Sequence, residues 1–196
     1  MECSDFYQLE DKDTHGAVHV EFCDEKIDYA AIHRGETLAE KNISCIPFMG
    51  KRFYDLMIPA SPYPLLISQR VIDIFKLEGI TGWEATPVKI LGHEGLNYSV
   101  LTVLGRCGKI NQRGERVSIM YPNGSIAKLT PAYKGWSFDI NSWDGSDIFL
   151  PANNHTILVT KKVRDILVRN KATNILLRKI SDIIVPEAIL DFLDKM

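Results

Sequence analysis

His15, His19 and Glu21 come nearest to a metal-binding pattern in this chain, because alternation along a strand would put all three on one face. A shared ion needs ligands converging at about 2 Å. A strand separates side chains at i and i+4 by roughly 13 Å, too far for His15 and His19 to hold one ion. A solvated strand face accounts for them better. Gly92-His93-Glu94-Gly95 begins like a zinc-protease helix, yet Asn97 stands where the second histidine belongs and two glycines flank the pair. No metal and no cofactor is expected.

Nucleophilic chemistry has as little support. The chain carries no Gly-x-Ser-x-Gly elbow and no Gly-x-x-x-x-Gly-Lys-Ser/Thr phosphate loop. Cys107 follows Arg106 in Gly105-Arg106-Cys107-Gly108, which ends an apolar strand and could line the mouth of a site; an ordinary thiol in a turn is the plainer account. Cys3, Cys23, Cys45 and Cys107 form no Cys-x-x-Cys pair, so reduced and mostly buried thiols are expected. An enzyme would have to gather His19, Glu21, His93 and Cys107 in one cleft. No catalytic residue is assigned.

The elements available to position side chains are dominated by a repeat. Leu66-Ile67-Ser68-Gln69-Arg70-Val71-Ile72-Asp73-Ile74-Phe75 returns ninety-two positions later as Leu158-Val159-Thr160-Lys161-Lys162-Val163-Arg164-Asp165-Ile166-Leu167. Two copies at so long a period indicate one globular fold with two similar units, near residues 64–90 and 156–182, rather than a solenoid. Each copy reads as a short buried strand, a hydroxyl cap (Ser68 or Thr160) and a helix. The apolar stripe is Val71, Ile74 and Phe75 in one, and Val163, Ile166 and Leu167 in the other. Gly79 and Asn170 mark the helix ends.

Around the repeat, strands are expected at Asp5–Leu9, Ala17–Cys23, Trp83–Val88, Tyr98–Leu104 and Ile175–Ile180, with Trp136, Phe138 and Ile140 alternating as another. Tyr54 to Pro64 is loop-like because of Pro59, Pro62 and Pro64, and Gly35 to Pro47 is ambiguous. Tyr121-Pro122-Asn123-Gly124 turns a hairpin between Arg116–Met120 and Ser125–Leu129. Pro186 fits a first helical position before a short C-terminal helix bearing Ile189, Phe192 and Leu193. The sum is an α+β fold: a single compact domain over residues 1–196, mostly antiparallel strands with two similar strand-helix-strand units.

Composition narrows the partners. The chain has 196 residues, 45% of them hydrophobic and 24% charged, as in soluble globular proteins, and no apolar run approaches the eighteen or so residues of a membrane span. The start, Met1-Glu2-Cys3-Ser4-Asp5, lacks a basic and apolar export signal, so a cytoplasmic location is expected. Net charge is −2, but residues 1–40 hold eleven acids against three bases. A near-neutral chain with scattered bases lacks the electrostatic footprint of nucleic-acid binding, whereas the acidic segment would attract a basic protein surface.

Two groups of residues are candidates for such contacts: the carboxylates Asp11, Asp13, Asp24, Glu25 and Asp28, and Trp143 with Asp144 and Asp147. An exposed aromatic flanked by carboxylates makes a good anchor, although core packing and turn hydrogen bonds would also explain the second group.

Trp143-Asp144-Gly145-Ser146-Asp147-Ile148-Phe149, followed by Ile157 to Leu167, resembles the "SDIFR … LVSERVKEAL" signature of immunity proteins from bacterial polymorphic-toxin systems. Leu66-Ile67-Ser68-Gln69-Arg70-Val71 with Tyr98 to Leu104 is similar to that family's first half, and Ile32-His33-Arg34-Gly35-Glu36 to a segment that often precedes it. Lys161-Lys162 replaces the family's Glu-Arg, and Leu150 its Arg. The resemblance covers about residues 33–183. It implies a non-enzymatic protein that binds one cognate toxin as a monomer in a 1:1 complex. That toxin would act in the cytosol, for example a nuclease effector of a contact-dependent, type VI-like secretion system. A small enzyme or a regulatory scaffold module is the alternative.

Overall fold

The computed structural model describes residues 5–23, 28, 31–32, 35–36, 43–57, 64–123 and 126–193, with backbone alone at 121–123, 126–128 and 193. Along the chain run β1 (Phe6–Asp11), β2 (His19–Phe22), β3 (Ile43–Met49), β4 (Leu56–Met57) and β5 (Leu66–Ser68), which leads into helix α1 (Gln69–Leu77). Then come β6 (Trp83–Ile90), β7 (Tyr98–Val103), β8 (Gly105–Cys107) and the long pair β9 (Glu115–Asn123) and β10 (Ile126–Lys134). The second copy supplies β11 (Ile148–Pro151), β12 (Leu158–Thr160), α2 (Lys161–Arg169) and β13 (Ile175–Lys179), and β14 (Ile184–Pro186) precedes α3 (Glu187–Leu193).

The strands make a five-stranded sheet β13-β1-β12-β11-β8, a six-stranded sheet β2-β3-β6-β7-β5-β4 and a three-stranded sheet β14-β10-β9. Among the described ladders only β3 with β6 and β8 with β11 run parallel. This is the α+β, mostly antiparallel architecture read from the sequence. β7 is buried at all six positions, as its unbroken run Tyr98-Ser99-Val100-Leu101-Thr102-Val103 implies for a strand covered on both faces. Val71, Ile72 and Phe75 of α1 and Val163, Ile166 and Leu167 of α2 enter one shared core, each worth about 1.5–3 kcal/mol of burial.

The two copies are bound to each other by matched carboxylates. Asp55, just before β4, accepts from the Ser68 hydroxyl (2.8 Å) and from Arg70 of its own copy, and from the backbone N–H (2.8 Å) and hydroxyl (2.7 Å) of Thr173 in the other. Asp147, just before β11, accepts from the Thr160 hydroxyl (3.1 Å) and Lys162 (3.1 Å), and from the N–H (3.1 Å) and hydroxyl (3.3 Å) of Thr81. Arg70 also reaches the Asn170 carbonyl at the end of α2 (3.0 Å), and Lys162 the Gly79 carbonyl at the end of α1 (3.1 Å). The carboxylates, the hydroxyls, the bases and the threonines of the two sets each stand ninety-two positions apart, and the two carbonyls ninety-one. The repeat thus extends upstream of residues 64 and 156, where Asp55-Leu56-Met57-Ile58-Pro59-Ala60 matches Asp147-Ile148-Phe149-Leu150-Pro151-Ala152.

Several expectations are corrected. Trp136 to Ile140 is not a strand: Ser137 makes an isolated bridge to Asn111, and the Asp139 carboxylate accepts from the Asn141 N–H to start a 3-10 turn. Pro186 ends β14 instead of opening α3, and among the described side chains of that helix Leu190 is buried while Ile189 and Phe192 are exposed; the Leu193 side chain lies outside the described ones. In α1, Ile72 is buried and Ile74 only half-buried. Leu56–Met57 is a strand inside the span read as loop, and residues 58–63 lie outside the described ones. Ser68 caps α1 through the Val71 N–H, but Thr160 gives its hydroxyl to Asp147 and leaves α2 without a side-chain cap.

Candidate functional site

The eight residues singled out in the sequence do not form one site. Asp24 and Glu25 lie outside the described residues. Asp147 is committed to the junction of the two copies, with its side chain 14% exposed. Asp144 holds the same loop, accepting from the Arg106 N–H (2.7 Å) and the Ser146 N–H (2.9 Å). Trp143 is half-buried: its ring packs edge-on against Phe6 (5.2 Å) and tilted against Phe149 (5.7 Å), and its indole N–H donates to the Ser146 carbonyl (3.0 Å). Asp28 is exposed and accepts from the Ala31 N–H. Asp11 and Asp13 sit at the far end of β1. Thr160, the Asp147 partner, faces Phe6, while Asp11 faces Ile175, so the two groups are separated by about 17 Å of strand.

The surface beside Asp13 has the composition that the sequence suggested for Trp143. β3 pairs with β6 only through Ile43–Cys45, so Ile46–Met49 extends beyond that ladder and, among the described strands, has β2 alone beside it. On the inner face of this ribbon Val20, Ile43 and Cys45 are buried. On the outer face Glu21 stands opposite Ile46. A bulge inserts Phe48, since Met49 faces His19 and Pro47 faces Val20. Ile46, Phe48 and Met49 are 41%, 51% and 55% exposed. The Phe48 ring lies 6.1 Å from His19, whose Nε2 is 3.6 Å from the Asp13 carboxylate. Asp13 is tied in turn to Asp11, which accepts its N–H at 2.9 Å.

Two turns hold the ribbon in place. Gly16 accepts from the Lys51 and Arg52 N–H groups (3.0 Å each), and Arg52 accepts from Val18 (2.9 Å). Gly50 has φ +78°, and a Cβ there would lie 1.8 Å from the Ala17 carbonyl oxygen, so only glycine fits. Lys51 and Arg52 are exposed at this end. Burial pushes the Cys45 thiol up to about 12, with the Cys23 thiol nearby adding to the effect, so Cys45 stays protonated beneath the ribbon.

The residues of the catalytic alternative are dispersed. His93 packs on Phe53 (4.7 Å), whereas Cys107 is buried in a different cluster with Phe6 and Phe149, its Sγ directed at the Gly108 carbonyl. Arg106 does border a cavity of about 490 Å³ formed with the loop from Leu150 to His155, but Cys107 does not line it. Among the described residues no three His, Cys, Asp or Glu side chains are grouped to hold an ion. No described helix is long and apolar enough to cross a membrane.

Sequence reasoning missed Ile46, Phe48 and Met49 because Gly35 to Pro47 showed no clear period. The available signal was three large apolar residues in four, broken by Pro47. Compared with protein-family models and with curated proteins, the chain matches none.

Proposed function

We propose that this chain is a blocking protein of the immunity type, which binds one cognate toxin acting in the cytosol and covers its working cleft without turnover of its own. The observation that carries the reading is the outer face of the β2–β3 ribbon, where Ile46, Phe48 and Met49 stand more than 40% exposed beside Asp13 and Glu21. Large apolar side chains seated among polar neighbours are the usual anchors of tight complexes, and a specific interface buries roughly 1,600 Å² in all. The resemblance of Trp143–Phe149 and Ile157–Leu167 to immunity proteins supports the same reading. If the toxin is a nuclease effector of a contact-dependent secretion system, its groove is basic, and Asp11, Asp13 and Glu21 would stand in for phosphates.

The test uses the purified protein encoded by the adjacent reading frame. The wild-type chain should bind it and suppress its activity. Joint replacement Phe48→Ser and Met49→Ser should weaken binding by about a hundredfold or more, with thermal stability little changed. Asp13→Lys with Glu21→Lys should slow association most at low salt. A wild-type chain that leaves that protein fully active ends the proposal.

A further inference from the structure

β9 is an edge strand of nine residues, and three prolines reveal which of its backbone groups point outward. Facing residues of an antiparallel ladder alternate between pairs that exchange two N–H···O=C bonds and pairs that exchange none. Pro131 faces Ser118 and Pro122 faces Ala127. Proline has no N–H, so both pairs belong to the non-bonded set, and the even spacing of Ser118 and Pro122 agrees. On the other side of β10, Pro186 faces Ala132, which the same alternation also makes a non-bonded pair. Arg116, Ser118 and Met120 therefore turn N–H and C=O away from β10, and Pro122 ends the row with a C=O alone.

Among the described strands none joins the outer half of this arm beyond β9 and β10. β14 pairs only with Ala132–Lys134, so from Ser118 and Pro131 outward the ladder is two-stranded. Met120 and Leu129, which face each other there, are 63% and 61% exposed. A ribbon of two strands is marginal in water without a third strand or a covering layer.

We propose that the β9 edge pairs antiparallel with the same edge of a second copy, with Ser118 on the two-fold axis. The row Arg116, Ser118, Met120 is symmetric about Ser118, so in this register all three donors of each copy meet acceptors, giving about six main-chain hydrogen bonds. Arg116 then faces Met120 of the second copy, Val117 faces Ile119 and Glu115 faces Tyr121, so no like charges are opposed. A two-residue slip one way sets Arg116 against Pro122, which has no N–H to give the Arg116 carbonyl. A four-residue slip the other way opposes the two arginines. Pro122 also stops the ladder from lengthening, so the contact closes as a dimer whose continuous sheet runs β14-β10-β9-β9-β10-β14. The expected 1:1 toxin complex becomes two and two.

Ser118→Pro is the discriminating variant, because it removes an outward N–H on the axis and leaves the ladder to β10 intact. By light scattering and sedimentation, the intact wild-type chain should be a dimer, and Ser118→Pro a monomer with unchanged circular dichroism, its dissociation constant raised about a hundredfold. Hydrogen exchange reads the same contact without mutation: the amides of Arg116, Ser118 and Met120 should lose protection on dilution while those of Val117 and Ile119 keep theirs. That measurement decides the matter if Ser118→Pro fails to fold. A wild-type monomer at 100 μM (roughly the concentration where a weak dimer forms) overturns the proposal, as does a dimer that survives Ser118→Pro. Protection of these amides only after the adjacent gene's product is added overturns it too, and gives the edge to that protein.

Discussion

Asp55 and Asp147 occupy the same place in two copies of one unit, and each holds a threonine of the opposite copy: Asp55 accepts from Thr173, and Asp147 from Thr81. The two sets are alike in plan and unlike in strength. Asp55 is 8% exposed and takes two bonds from the Arg70 guanidinium, whereas Asp147 is 14% exposed and takes one from the Lys162 ammonium. A planar guanidinium that grips both carboxylate oxygens holds its partner more firmly than a point charge does.

Asp55→Asn should therefore cost more than Asp147→Asn. The amide group presents an N–H₂ where Arg70 or Thr173 needs an acceptor, so the two bonds from the half-exposed Arg70 guanidinium and those from Thr173 are weakened together, at about 2–4 kcal/mol. At Asp147 a single bond from the equally exposed Lys162 is weakened, and about 1–3 kcal/mol is expected. Urea denaturation of both variants measures the difference; equal losses would show that the identity of the base is immaterial.

Acid should act through the same group. Burial pushes the Asp55 carboxyl up, but the hydrogen bonds from Arg70, Thr173 and Ser68 together outweigh it and bring it from 3.8 down to about 2. The folded state thus holds its proton more weakly than the unfolded chain does. The resulting stability, about 2–3 kcal/mol, is present above pH 4 and is lost as pH falls from about 4 to 2. In urea titrations the wild type should lose its advantage over Asp55→Asn across that window. An advantage that stays constant from pH 5 to pH 2 would rule the linkage out.

The repeat also predicts a stabilising substitution. Gly79 ends α1 at φ +59°, and its counterpart Lys171 ends α2 at φ +51°, where a side chain is disfavoured. Lys171→Gly should raise stability by about 0.5–1 kcal/mol, and Gly79→Lys should lower it by a similar amount. A shift in melting temperature of opposite sign in the two variants is the expected readout; a loss in both would mean that the Lys171 side chain contributes more than its backbone costs.

The local elements were legible because their signals are short-range. Ser68 and Thr160 each precede a helix whose stripe recurs every three or four residues. The hairpin expected around Tyr121-Pro122-Asn123-Gly124 joins β9 to β10, but Tyr121–Asn123 still belong to β9, and residues 124–125 lie outside the described ones. The same logic failed at Trp136-Ser137-Phe138, where alternation was real but Asp139 offered the backbone a competing bond. It failed again at Thr160, whose hydroxyl had an acceptor in Asp147 that no helical pattern announces.

The sequence by itself determined the strand and helix starts, the buried stripes and the fact that one unit is written twice. Only the tertiary structure decided that Asp147 and Trp143 face inward, that Phe48 and Met49 face outward, and that Asp55 holds a threonine of the opposite copy. The physical reason is range. Helix caps and strand periods are set by residues a few positions apart, but Thr173 lies 118 residues from Asp55 and Thr81 lies 66 from Asp147. A chain displays its donors and acceptors in order, and folding alone selects which of them meet.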